Sequence, residues 1–176
     1  MTSLLKSCLA AAALCCCAAA QQNSNPLVNS EKGIYHYLMG TVISAAEEMP
    51  EKDYSFKPVS TVRTFGQLVA HEADAQYEFC AAAGGEKNPS PDVEKNKTSK
   101  ADLIQAVKDA EGYCDKVYAG LTDATASEMV PFVGHQFSKL AVLSFNNAHT
   151  DEHYGNMVTY LRMKKLVPPS SKQQNQ

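Results

Sequence analysis

Apolar residues recur at three- and four-residue spacing in four stretches of this chain, and glycine or proline closes each stretch. That period is the α-helical one, because side chains three and four apart share a helix face. No stretch reads as an alternating strand. A helix with one apolar stripe must bury it against another element, so four such helices without a sheet imply a bundle. The fold class read from the sequence is all-α, a four-helix bundle occupying residues 29–167.

The first helix is expected to start at Asn29 or Ser30 and run to Met49, with Ile34, Tyr37, Leu38, Thr41, Val42, Ala45 and Met49 as its stripe. Pro50 ends it, and Pro58 restricts the connection that follows. Thr64-Phe65-Gly66-Gln67 has the form of a capping box, so a second helix is expected over about 65–83. Phe65, Leu68, Val69, Glu72, Ala73, Gln76 and Phe79 lie on its adjoining rows, and Gly84-Gly85 stops it. Residues 86–98 are rich in Lys, Asn and Pro and read as an exposed loop. The loop is long for a simple antiparallel connection, so it could run back along the bundle and leave helices two and three parallel.

Ser99 caps a third helix to about Tyr118, with Leu103, Ile104, Val107, Ala110, Cys114 and Val117 on its core face. Gly120 breaks that pattern. Within the next connection, Glu128-Met129-Val130-Pro131-Phe132 is expected to be partly extended and to cover a bundle end. The fourth helix is expected over about 136–165, carrying Leu140, Leu143, Asn147, Thr150, Tyr154, Met157 and Leu161. Pro168-Pro169 should terminate it and leave a disordered tail over 168–176.

Residues 1–20 have the layout of an export signal: Lys6, an apolar run over 8–20, and Ala18-Ala19-Ala20 as a small-residue cleavage pattern. The expected mature start is Gln21, followed by a flexible leader over 21–28, and the expected location is periplasmic or secreted. A lipoprotein is the weaker alternative, since the residues before Cys15, Cys16 and Cys17 make a poor lipobox. No later stretch suggests stable membrane insertion after processing. Of six cysteines, Cys80 and Cys114 lie beyond the signal. In an oxidising compartment they could form a disulfide, or they could be two buried small apolar residues. A formal net charge of −3 gives no electrostatic case for nucleic acid as a partner.

The chemistry-bearing feature is His149-Thr150-Asp151-Glu152-His153, taken with His71. Two histidines four apart stand one turn above each other on one helix face. A third imidazole from a neighbouring helix would complete a three-nitrogen site with open coordination positions. Zinc, nickel and iron all suit such ligands, so the sequence names a divalent metal ion without choosing among them. The same string matches the His-x-x-Glu-His pattern of inverzincin peptidases, but no Asp or Glu follows His153 to supply their further acidic ligand.

At these residues the chain resembles the DinB-like family, also called the DinB/YfiT-like family of metalloenzymes, over roughly residues 29–170. Three stretches carry the likeness: residues 63–71 from Arg63 to the first histidine, the connection over 48–58, and residues 149–155 with Tyr160-Leu161-Arg162 behind them. The resemblance implies an up-down-down-up bundle with a long loop between helices two and three. It implies His71, His149 and His153 as the metal ligands. It also brings Cys80 and Cys114 toward one bundle end, which favours the disulfide. Relatives include thiol-dependent transferases and isomerases, and export sets this chain apart from cytosolic thiol chemistry.

Other residues have plainer readings. His36 is expected at the surface, and His135 as a cap or loop contact at the start of helix four. Asp74 is either an orienting partner for a ligand or an ordinary surface carboxylate. Asp151 or Glu152 could serve as a general base only if turned toward the cleft. Tyr77 and Tyr154 read as packing groups, and Gly155 as a site of close helix approach. Asn96-Lys97-Thr98 matches a glycosylation acceptor, which means little in a bacterial chain, the source that the family resemblance implies. The expectation is a metal-dependent hydrolase or transferase acting on an unidentified small molecule, with no catalytic side chain assigned. The alternative is a non-catalytic metal- or ligand-binding bundle in envelope stress. A homodimer through an apolar bundle face is a further expectation.

Overall fold

The structure, a computed structural model, describes residues 25–173. The expected export signal with its cleavage site, and four of the cysteines, lie outside those residues. Among the described residues four long helices carry the core: α1 (Pro26–Glu48), α2 (Phe65–Gly84), α4 (Lys100–Ala119) and α6 (Lys139–Met163). Short elements join them: a 3₁₀ turn (Glu51–Asp53), α3 (Val93–Asn96), α5 (Asp123–Ala126), strands β1 (Met129–Phe132) and β2 (His135–Ser138), and a last helix α7 (Pro169–Gln173). The fold is therefore mostly helical with one hairpin. No described helix is long and apolar enough to cross a membrane.

The helix stripes meet in one core containing Tyr35, Met39, Phe65, Leu103, Leu143, Met157 and Leu161, all buried. Early residues of α2 touch early residues of α4, and late touch late: Gly66 lies against Leu103, and Gly84 against Val117. Cys80 and Cys114 form a disulfide between the same two helices, with Cα atoms 5.3 Å apart. The pairings of α1 with α4 and of α2 with α6 run in the opposite sense. Lys32 of α1 approaches Asp115 of α4, whereas Glu47 pairs with Lys108. In α2 and α6, Gln76 meets Asn146 while the carbonyl of Arg63, just ahead of α2, meets Tyr160.

The capping box forms as expected: Gln67 N donates to Thr64 Oγ1 at 3.2 Å, and Thr64 N donates to Gln67 Oε1 at 2.9 Å. Gly66 sits where the connection crosses this helix start, and a β-carbon there would stand 3.2 Å from Tyr54 Cδ1. At the other end Gly85, with φ 71°, closes α2 in a left-handed turn.

Four expectations about boundaries need correction. Helix α1 begins at Pro26, inside the supposed leader, because Asp123 Oδ2 and Oδ1 accept from Leu27 N and Val28 N at 3.1 and 3.0 Å. That carboxylate caps the helix from far along the chain. Helix α6 begins at Lys139, three residues later than expected, because 135–138 pair with 129–132 across a Val133-Gly134 turn. Ser138 then caps α6 by accepting from Ala141 N at 3.2 Å. Helix α6 ends at Met163, ahead of Pro168-Pro169: Lys165 takes a left-handed φ of 63°, and Leu166 N returns to Leu161 O at 2.9 Å. The tail is ordered through α7. Pro168 and Pro169 are buried, and Ser170 N donates to the Tyr154 hydroxyl at 2.9 Å.

The bridge between Cys80 and Cys114 closes a loop with a sequence separation of 34. Reducing it should lower the unfolding free energy by about 3–4 kcal/mol on the chain-entropy account. Urea titrations with and without reductant read that loss; equal midpoints would contradict it.

Candidate metal centre

Helices α2 and α6 bring His71, His149 and His153 to one point. His71 Nε2 lies 3.3 Å from His149 Nε2, and His149 Nε2 lies 3.2 Å from His153 Nε2. One ligand nitrogen from each residue falls within 4.8 Å of the others, so the three can hold a metal ion. All three are half-buried, the His71 side chain 24% exposed and that of His149 18%.

Two neutral imidazoles at this distance share one proton. Two converge on His149, and its Nε2, with either one N–H or one lone pair, serves one of them well at most. A cation accepting all three lone pairs resolves the conflict and places each proton on Nδ1. The outer edges suit that arrangement. Glu72, fully buried, puts Oε1 3.3 Å from His149 Nδ1. Both atoms otherwise lack a hydrogen-bond partner, as does His153 Nδ1. Glu94 Oε2 stands 3.9 Å from His71 Nδ1. Carboxylates behind metal-bound imidazoles fix the tautomer and raise ligand basicity.

Burial pushes the His71 imidazole down to about 4, helped by the positive charge of Arg63 and by the two other histidines. Burial lowers His153 as well, against an opposing pull from Glu72. Both are thus neutral at neutral pH, the state a metal requires.

Glu72 belongs to a buried polar seam. Gln76 Nε2 donates to Glu72 Oε2 at 3.4 Å and to Thr150 Oγ1 at 2.9 Å, while Gln76 Oε1 accepts from Asn146 Nδ2 at 2.6 Å. The pattern reading counted Glu72 and Gln76 as members of the core rows and missed their role. A carboxylate one residue after a candidate ligand, on a buried face, was the available signal.

Asp74 neither orients a ligand nor stands free. Its carboxylate accepts from Val93 N at 2.8 Å and Glu94 N at 3.0 Å, which caps α3 and thereby places Glu94. Glu94 Oε1 in turn accepts from Arg63 Nε at 3.1 Å. A cleft of about 700 Å³ opens beside this group, lined by Arg63, Glu94, His153, Asn156, Thr159 and Tyr160 among others. Asp151 and Glu152 are exposed and do not line it. His36 lies at the surface against Glu111 and Asp115. His135 is an exposed residue of β2, beside Phe137. Tyr77 packs on Tyr113 with ring centroids 5.1 Å apart.

The family model of the DinB superfamily matches residues 40–157, a span that contains all three histidines. Two solved structures share the fold. One is a DinB-like protein from Bacillus cereus ATCC 10987, at TM-score 0.67 and 15% identity, covering 80% of this chain and 95% of that one. The other is the DinB-like protein YjoA from Bacillus subtilis, at TM-score 0.65 and 20% identity, covering 80% of this chain and 92% of that one. No curated protein matches the chain.

Two outcomes are expected at this centre. Glu72→Gln keeps the shape and removes the charge behind His149, so zinc affinity should fall about 10- to 100-fold, as read by competition with a chromophoric chelator. An unchanged affinity would separate Glu72 from the site. In the metal-free chain, His71 is held at about 4 when folded against 6.5 ordinarily, so between those values the unfolded chain binds more protons. Folding stability should therefore fall as pH drops from 6.5 toward 4. Urea midpoints across that range should show the slope, and His71→Gln should reduce it, leaving the part of the same sign that His153 contributes.

Proposed function

The chain belongs to the DinB superfamily, and we propose that this member is an exported metalloprotein that binds a divalent ion through His71, His149 and His153 and uses it as a hydrolase or transferase. The observation carrying this reading is the mutual approach of three Nε2 atoms, at 3.3 and 3.2 Å, with carboxylates behind two of the three rings. A divalent ion held by three neutral ligands keeps its charge and supplies Lewis acidity to a water or thiol. The protein's own part is positional. Glu72 stands behind Nδ1 of His149 at 3.3 Å, and the α2–α6 packing fixes the spacing of the rings. The cleft beside His153 admits a small molecule.

The four long helices fit an up-down-down-up order. Supporting it are the like-with-like contacts of α2 with α4 and the reversed contacts of α1 with α4 and of α2 with α6. Supporting export are the signal-like residues 1–20 and the Cys80–Cys114 bridge, since disulfides persist in oxidising compartments. The expected partner is a small-molecule substrate, with no nucleic acid and no stable membrane insertion; a homodimer belongs to the same reading. The second reading, a binding bundle without catalysis in envelope stress, is favoured by one observation: among the cleft-lining residues the sole carboxylate, Glu94, is already engaged with Arg63.

Elemental mass spectrometry of protein purified without a histidine tag, beside His149→Ala/His153→Ala, tests the metal. Near-stoichiometric zinc, nickel or iron is expected in the parent and none in the variant. Ester, thioester and thiol-transfer substrates presented to the loaded protein then separate the readings. Turnover that disappears with the metal selects the enzyme; full occupancy without turnover selects the binding bundle.

A further inference from the structure

We propose that the cleft beside His153 binds a small carboxylate, anchored by the Arg63 guanidinium and extending toward the three imidazoles. The inference deepens the metal-site reading by naming the substrate class, and it rests on that reading only for what stands at the far end.

Arg63 is the sole lysine or arginine among the cleft-lining residues. It is held from two directions. Its carbonyl accepts from the Tyr160 hydroxyl at 2.7 Å, and its Nε donates to Glu94 Oε1 at 3.1 Å. Glu94 is itself fixed by the Asp74 cap on α3. The guanidinium is therefore set in place before any ligand arrives. Glu94 occupies the Nε position, and the Nη groups have no partner among the described residues. A planar guanidinium presents paired N–H donors at the spacing of a carboxylate's two oxygens.

Charge selects a carboxylate over a phosphate. The wall offers one cation and, beside it, the negative Glu94. A phosphate dianion would hold both of its negative charges beside Glu94 with no further cation in this wall, whereas a dicarboxylate such as succinate presents one charge there and carries the other toward the imidazoles. The rest of the lining suits a short organic body. Val62, 41% exposed, and Leu68 give an apolar strip, and Asn156 and Thr159 offer an amide and a hydroxyl. About 700 Å³ is within the usual range for a small-molecule site.

Isothermal titration of the purified chain with succinate, metal-free and zinc-loaded, tests this. Inorganic phosphate and the neutral diamide of succinate are the comparison ligands. Succinate should bind saturably and more tightly than either. Arg63→Gln should weaken it by about ten-fold or more, the loss of one charge-assisted pair. Because Arg63→Gln also frees Glu94, a second variant is needed: Asn156→Asp, at an exposed position lining the same cleft, should weaken succinate through like charge. Succinate binding unchanged in both variants, no saturable binding, or tighter binding of phosphate or the diamide overturns the proposal. Arg63-dependent succinate binding in a chain that takes up no zinc, nickel or iron sustains the anchor and removes the metal reading. Zinc uptake with succinate binding indifferent to Arg63 does the reverse.

Discussion

A carboxylate with no exposure to water sits in the middle of this helical core, and much of the site depends on how it is tolerated. Burying an ionised group without compensation costs several kcal/mol. Glu72 Oε2 accepts from Gln76 on its own helix, and its Oε1 faces His149 Nδ1 on α6 at 3.3 Å. Gln76 then engages Thr150 and Asn146, so hydrogen bonds of this seam cross from α2 to α6. Apolar packing alone would allow α2 and α6 to slide by small amounts at little cost. A hydrogen-bonded seam has one register in which its groups are paired, and in that register His71 stands opposite His149. The seam and the histidine cluster are thus two consequences of the same helix pairing.

The opposite edge of the site is governed by a loop. Residues 86–98 would be the natural place for looseness, yet Val93 is buried and Asp74 caps the short helix that follows it. The cap draws α3 onto α2 and delivers Glu94 to a point between His71 and Arg63. A long connection between helices that pair like with like is therefore more than a tether. It supplies the acidic group behind one imidazole and immobilises the one cation of the cleft. Disulfide and cap act on the same two-helix unit, the bridge joining α2 to α4 and the cap joining α2 to the loop between them.

Helix interiors were legible in the sequence because burial at 3–4 spacing is a local signal, and the stripes of α1, α2 and α4 contain residues that do line the core. The Thr64 and Ser99 caps were legible for the same reason, since each is closed within three residues. The DinB likeness was legible from short motifs placed in order, and the family model bears it out. Distant contacts were not legible. Nothing local around Pro26 says that Asp123 caps it, and nothing local around Ser170 says that Tyr154 receives it. Strand β2 was read as helix because His135-Gln136-Phe137 has no pattern of its own; its pairing with a proline-containing strand decides it. Glu72 was counted among core positions, correctly as to burial. Periodicity reports which side of a helix faces inward and is silent on what a charge there must meet.

The histidine cluster is closed on one flank and open on the other, and this asymmetry bears on how a substrate would reach it. Phe79 packs against His149 at 5.3 Å and against Phe132 of the hairpin at 5.0 Å, with Phe145 beside them. That aromatic wall lines the His149 flank. His153 is the one histidine of the three that lines the cleft, and Arg63 and Asn156 share that lining. A molecule that reaches the three nitrogens through this cleft shares it with the guanidinium. Whether the bundle catalyses or only binds, what it admits is governed by residues that hold no metal, and the chemistry of its ligand should be sought at Arg63 before it is sought at the histidines.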